Sequence, residues 1–294
     1  GTLGGGIHTV NTGQKDFGHI KHDGQNPSSL SDKAILSIYQ DSQNVIWLGT
    51  QGDGLNTSAD QGKTFKSVRH QANNRNSLSH NIVRTILEDS KQTLWFGTDG
   101  GLTRYHRDSK QFKQFIHNQA VAGSLSNNGV KVIFEDSRKT LWVGTWGGGL
   151  NKFNPEQQQF EHFNQHTTEL NSDFINAIFE DTNGILWVGT DKGLNRFDLS
   201  TSRFIDNADN RVNPAIFDPY VITSLHQDRN NHLWIGTFGS GFKKLNLATQ
   251  QLTHYHTSDG LPSDEIYGII EDKSGNLWLS TNIGLSKFTP DKAT

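Results

Sequence analysis

One short pattern recurs six times along the 294-residue chain: IWLGT at Trp47, LWFGT at Trp95, LWVGT at Trp142 and again at Trp187, LWIGT at Trp234 and LWLST at Trp278. Successive tryptophans lie 48, 47, 45, 47 and 44 residues apart. A period of that length with one tryptophan per unit is the period of propeller blades. It overrides the two domains that length alone would suggest. Each unit reads as four strands. An alternating apolar stretch ends in an acid, as in Ile82 to Asp89; a polar turn leads to the tryptophan strand; a glycine-rich turn leads to a third strand, as in 147–154; a last polar turn leads to a fourth, as in 159–166. Short strands joined by turn residues make an antiparallel blade.

The expected fold is therefore an all-β propeller of four-stranded antiparallel blades, 1–294 forming a single domain. Whole blades are expected at about 30–72, 78–118, 125–166, 171–209 and 218–257. Gly1 and Thr2 align with Gly49 and Thr50, so 1–24 reads as a partial first blade, and 262–294 as a partial last one. The count is then seven, with six as the alternative if the N-terminal strand completes the last blade. A twisted blade has two apolar faces and buries neither alone; stacking blades covers both. The motif tryptophans are expected between neighbouring blades, where each would remove ~150–250 Å² from water.

Composition agrees: 30 glycines, 6 prolines, 32% hydrophobic residues and 10% aromatics suit short strands and tight turns. The net charge of −3 supplies no basic stripe for a phosphate backbone, so no nucleic-acid partner is expected. No apolar run approaches the ~20 residues of a membrane helix, so membrane attachment would come only through flanking segments outside this sequence. The chain has neither Cys nor Met. It lacks disulfide and thiol chemistry, fits an oxidising compartment, and is read as a piece of a longer protein.

The segment Ile175 to Phe197, INAIFEDTNGILWVGTDKGLNRF, closely resembles the two-component regulator propeller repeat, and related copies cover essentially the whole chain. The resemblance implies the periplasmic sensor part of an inner-membrane receptor whose cytoplasmic output is a hybrid histidine kinase or a diguanylate cyclase. Dimerisation of the full-length receptor goes with that expectation.

Several motifs look like chemistry. Glu-Asp pairs at Glu88-Asp89, Glu135-Asp136, Glu180-Asp181 and Glu271-Asp272 would suit acid–base catalysis only if two carboxylates converged within ~5–10 Å. One pair per blade does not converge, and the Asp reads as a cap on the turn into the tryptophan strand. His254 and His256 share a strand face. His22, His70 and His117 recur five residues after Phe17, Phe65 and Phe112 and so lie on different blades, where they could not supply the three or four ligands of a zinc site. No metal and no cofactor is expected. Ser58 to Phe65 fits the sialidase Asp-box pattern, which marks a turn. The glycine runs lack the Lys-Ser/Thr and helix of a phosphate loop.

Within a repeat, positions that stay constant hold the fold, and those that vary in chemistry are free for function. One variable column follows Gly-Thr: Leu3, Gln51, Asp99, Trp146, Asp191, Phe238 and Asn282. Another precedes the first strand: Lys33, Asn81, Asn128, Asp173, Tyr220 and Asp264. In a four-stranded meander both loops emerge on one face, around the channel mouth. Trp146, Phe238, Asp99, Asp191, Asn128, Asp173, Tyr220 and Asp264 are the candidate ligand-binding residues. Aromatic platforms among amides and acids suit a carbohydrate or small polar ligand. The expected function is an extracytoplasmic, non-catalytic ligand-sensing domain. A protein-interaction platform is the first alternative; a propeller lyase or glycosidase is the second.

Overall fold

A computed structural model describes residues 7–11, 16–206 and 214–290. They form an all-β propeller whose strands join in sequence order into antiparallel blades. The contacts divide the chain into two compact units, one of residues 1–145 and 151–162, the other of 146–150 and 163–294.

The first unit opens with a hairpin, β1 (Ile7–Asn11) and β2 (Asp16–Ile20). Blade one is β3 (Ile35–Gln40), β4 (Ile46–Thr50), β5 (Leu55–Ser58) and β6 (Lys66–Val68). Blade two is β7 (Val83–Glu88), β8 (Leu94–Thr98), β9 (Gly101–His106) and β10 (Gln111–Phe115). Blade three is β11 (Val130–Glu135), β12 (Leu141–Thr145), β13 (Leu150–Asn154) and β14 (Gln159–Phe163), with its loop 146–150 grouped in the second unit. The second unit continues with blade four, β15 (Ile175–Glu180), β16 (Ile185–Thr190), β17 (Gly193–Asp198) and β18 (Arg203–Ile205). Blade five is β19 (Ile222–Gln227), β20 (His232–Thr237), β21 (Phe242–Asn246) and β22 (Leu252–Tyr255). Blade six has three strands, β23 (Ile266–Glu271), β24 (Leu277–Thr281) and β25 (Gly284–Phe288).

Among the described residues the count is six blades, one per tryptophan motif, which is the alternative number and corrects the first expectation of seven. Residues 7–20 form only a two-stranded sheet. Residues 7–20 hold no copy of the tryptophan motif. Ile7 and Ile20 instead pack on Leu30, Ile35, Leu48 and Phe65 of blade one. The Gly1–Thr2 match lies outside the described residues.

Trp47, Trp95, Trp187 and Trp234 pack where the repeat places them, between their own blade and the next. Trp47 is buried with Val83, Ile86 and Phe96 of blade two. Trp187 packs with Ile222, Leu233 and Ile235 of blade five, and Trp234 with Ile266, Leu277 and Leu279 of blade six.

Both halves of the repeated Glu-Asp pair are structural. The Asp carboxylate accepts the indole N–H of its blade's tryptophan, at 2.8 Å for Asp89–Trp95, Asp136–Trp142 and Asp181–Trp187. Its other oxygen accepts two turn amides; for Asp89 these are Lys91 N and Thr93 N, at 3.0 and 2.8 Å. The Glu reaches the preceding blade. Glu88 accepts from Ser42 N and Oγ (2.6 and 2.8 Å), and Glu135 from Ser90 N and Oγ (both 2.8 Å). The recurring histidines are bonded likewise: Nδ1 of His22, His70 and His117 donates to the carbonyls of Leu30, Leu78 and Leu125. In the Asp-box turn, Asp60 accepts from Thr64 N and Oγ1 and from Lys63 N.

This bracing makes the fold acid-sensitive. Burial raises Asp41 and Asp228, but bonds from the tryptophan indole and the turn amides outweigh it and hold both below the usual carboxylate range. The Asn276 side chain leads the groups that push Asp272 down to about 2. A carboxylate with a lower pKa folded than unfolded stabilises the fold above its unfolded value of ~3.9, and that contribution is lost as pH falls through the folded value. The melting temperature is therefore expected to fall between about pH 4 and pH 2 as these caps protonate. Melts across that window check it, with Asp272→Asn expected to flatten part of the slope.

Candidate functional site

Both variable columns come from loops that lie side by side. In the second unit, Gly147 N and Gly149 N donate to the Asp173 carbonyl at 3.0 and 2.9 Å. Gly239 N and Gly241 N donate to the Asp264 carbonyl, both at 3.0 Å. Trp146 forms an antiparallel bridge to Phe174, and Phe238 to Glu265. In the first unit Gly54 N reaches Asn81 O at 2.8 Å in the same way.

The turn after Gly-Thr comes in two lengths. Gln51, Trp146 and Phe238 open five-residue turns, QGDGL, WGGGL and FGSGF; Asp99, Asp191 and Asn282 open four-residue turns, DGGL, DKGL and NIGL. The fourth residue of the longer turn must be glycine. Gly149 and Gly241 have φ of 77° and 72°, and an added Cβ would stand 2.2 Å from the carbonyl oxygens of Phe163 and Tyr255. This difference was visible in the repeat alignment, and it separates the aromatic positions from the acidic ones.

The longer turns of the second unit carry exposed aromatics. Trp146 is 49% exposed and its bridge partner Phe174 is also exposed. Phe238 is 50% exposed, with the exposed Tyr267 ring 6.3 Å away. Tyr267 donates its hydroxyl to Glu265 at 3.0 Å; burial, that bond and the Glu265 charge raise its pKa. Phe174 and Tyr267 were not among the candidates. Phe174 looks like the start of an apolar strand, and Tyr267 occupies an ordinary strand position.

The other candidates in this unit differ. Asp173 and Asp264 each accept a backbone amide from the end of the preceding blade, Gln165 N at 2.8 Å and Thr257 N at 2.9 Å. Their side chains tie successive blades together. Asp191 has a buried Oδ1 with no hydrogen bond. Tyr220 is half-buried, and the Lys243 ammonium lies 3.4 Å from its ring centroid. Lys243 is itself buried, and desolvation, opposed by Asp218, pulls it down to about 8. It stands where blades one, three and four carry Asn56, Asn151 and Asn195, each bonded to Ser31, Ser126 or Asn171 of its own blade's entry loop. That break in an asparagine column was the unread signal for Lys243. His254, its register partner on β22, is lowered by burial and then by the Lys243 charge.

In the first unit, Asp99 forms a two-pronged ion pair with Arg84, whose Nη2 is 2.7 Å from Oδ2. Asn128 accepts His117 N at 2.6 Å, as Asn81 accepts His70 N at 2.7 Å. Among the described residues no three His, Cys, Asp or Glu side chains gather as a metal would need. No helix among them is long and apolar enough to cross a membrane.

Fold and repeat define a β-propeller whose blades are copies of one motif and whose loop face differs from blade to blade. The chain belongs to the two component regulator propeller family: the family profile matches residues 29–52, 77–100, 124–147, 169–192, 216–239 and 260–282, one segment per blade. No curated protein matches. Among solved structures, the chain resembles the extracellular domain of a putative one component system from B. thetaiotaomicron (22% identity, TM-score 0.62), over 98% of this chain and 40% of that one. It also resembles PorZ, a surface component of the type-IX secretion system of Porphyromonas gingivalis (20% identity, TM-score 0.68), over 90% of this chain and 39% of that one. A third likeness is to virginiamycin B lyase from Staphylococcus aureus (13% identity, TM-score 0.64), over 88% of this chain and 82% of that one. The chain thus spans less than half the length of the first two. At these identities the likeness is one of fold.

Proposed function

We propose that this propeller is the extracytoplasmic sensing domain of a bacterial signal-transduction receptor, and that it binds a carbohydrate or small polar ligand on the loop face of its second unit. The observation that carries the reading is the placement of Trp146 and Phe238 at one repeat position, each half exposed and each beside a second exposed aromatic. Solvated aromatic faces cost free energy unless something covers them, and paired rings, those of Phe238 and Tyr267 edged by Glu265, suit a sugar ring with its hydroxyls. The family and the relatives that are extracellular domains of receptor systems support the sensor reading. The domain acts by binding, without catalysis, on the periplasmic side of an inner-membrane receptor.

The lyase likeness keeps an enzymatic reading in view. Three of the four candidate acids a lyase would draw on are already committed, Asp173 and Asp264 to backbone amides and Asp99 to Arg84, and Asp191 alone is not, which favours binding.

A screen of soluble oligosaccharides by thermal shift, followed by calorimetry, tests this. Trp146→Ala and Phe238→Ala are each expected to weaken binding by ~2 kcal/mol or more, as for aromatic anchors, at unchanged melting temperature. Undiminished affinity in both variants would exclude the loop face as the site. Turnover of a bound sugar would establish an enzyme instead.

A further inference from the structure

A column of basic residues on the third strand lies over the motif tryptophans. Arg104, Lys152, Lys244 and Lys287 stand 5.7, 5.9, 5.7 and 5.7 Å from the ring centroids of Trp95, Trp142, Trp234 and Trp278. Arg104 differs in its surroundings. Its guanidinium lies over both Trp95 and Phe115 and faces a cleft of about 750 Å³ between blades two and three of the first unit. Its Nε is buried and makes no hydrogen bond, and among the described residues it forms no ion pair. Desolvation pulls it below the ordinary arginine value, with only Asp89 opposing; an arginine stays charged all the same.

Three of the four carboxylates that line the cleft are spoken for, Glu156 being the fourth. Asp89 holds Trp95 and the turn amides, Glu135 holds Ser90, and Glu161 lies 3.6 Å from Lys152. Lys91 and Lys139 stand at the cleft lining. A guanidinium stacked on aromatic rings and flanked by further cations suits a planar anion at its open edge. The cleft shares Gln157, Gln159 and Phe160 with an adjoining groove of about 760 Å³ on the outer edge of the same blades. That groove is lined by glutamine and asparagine amides beside Phe112 and Phe115, and among the described residues the side-chain amides of Gln111 and Gln159 there have no hydrogen-bond partner. Free amides beside phenyl rings suit neutral hydroxyls and sugar faces.

We propose that this cleft is a second binding site, for the carboxylate of an acidic saccharide chain whose other rings lie along the adjoining amide-lined groove. Arg104 would hold the carboxylate, and Gln111 and Gln159 the hydroxyls. The site owes nothing to the loop face of the second unit.

Calorimetric titration of the whole chain with an oligogalacturonate, its carboxyl-reduced neutral counterpart and an oligoglutamate tests this. The oligogalacturonate is expected to bind and the other two to bind at least about tenfold more weakly, as for loss of a charge-assisted bond. Arg104→Gln should lower that affinity by a similar factor. Because Arg104 also covers Trp95, the exposed Lys91→Ala and Gln159→Ala variants provide folded controls, each expected to weaken binding by a smaller factor. Trp146→Ala should leave it unchanged, so this site and the loop-face site succeed or fail separately. The proposal is overturned if the oligogalacturonate fails to bind, if the neutral sugar or the oligoglutamate binds as tightly, or if the folded variants bind like the unaltered chain.

Discussion

Trp142→Ala is expected to destabilise the fold by ~3–5 kcal/mol, the cost of emptying a buried aromatic site, while Trp146→Ala, four residues on, should stay within ~0.5 kcal/mol of the unaltered chain. The two tryptophans belong to one motif and differ in surroundings. Trp142 is 1% exposed, donates its indole N–H to Asp136 at 2.8 Å and lies under the Lys152 ammonium. Its removal leaves a cavity and strands one oxygen of a carboxylate whose other oxygen caps the turn through Arg138 N and Thr140 N. Trp146 is 49% exposed, and its bridge to Phe174 runs through the backbone, which alanine retains. Against a typical total stability of ~5–15 kcal/mol, the first change is a large fraction and the second is not. Trp142→Phe separates the terms by keeping most of the apolar volume while losing the N–H, and should cost ~1–3 kcal/mol. Thermal and denaturant melts decide. Equal losses for Trp142→Ala and Trp146→Ala would make Trp146 a core residue and remove it from the binding face.

Gly97→Ala is the second large effect, expected to cost ~1–3 kcal/mol or more through overpacking. The glycine of Gly-Thr is required by close approach, not by unusual backbone angles. A Cβ on Gly97 would stand 2.5 Å from Thr85 Cγ2 and 2.6 Å from Val130 Cγ1, the latter on the first strand of the next blade. Both neighbours are β-branched and stiff at χ1, so relief must come from the backbone or from separating the blades. Gly189 meets Ile222 of blade five in the same way, at 2.5 Å. Blade six carries Ser280 at this position, and there the residue is exposed. The double variant Gly97→Ala/Val130→Ala should recover part of the loss, a coupling that a mutant cycle measures. Strictly additive losses would show that the glycine acts through the backbone instead.

The repeat alone determined the fold class, the order of strands within each blade, the burial of five of the six motif tryptophans and the structural role of the Asp in each Glu-Asp pair. It did so because these depend on contacts inside a blade, or between neighbouring copies of it, that recur at every period. The sequence also implied that the loops bearing Trp146 and Asp173 share a face, since strand direction in a meander dictates it. What lies between residues far apart in the chain was decided only by tertiary structure. Only the fold shows that, among the described residues, the segment 7–20 is a two-stranded sheet with Ile7 and Ile20 packed on blade one, and that six blades stand where seven were expected. Glu88 and Glu135 gained their role from the turn of another blade. Asn128, Asp173 and Asp264 looked free in an alignment of repeats, yet each binds a backbone amide seven to eleven residues earlier in the chain, at the end of the preceding blade. Tyr220 reads as an exposed loop aromatic until β21 brings the Lys243 ammonium under its ring. Periodicity reports what every copy does alike; a polar side chain's partner depends on which particular atoms the fold brings within hydrogen-bonding distance, and that is set by packing.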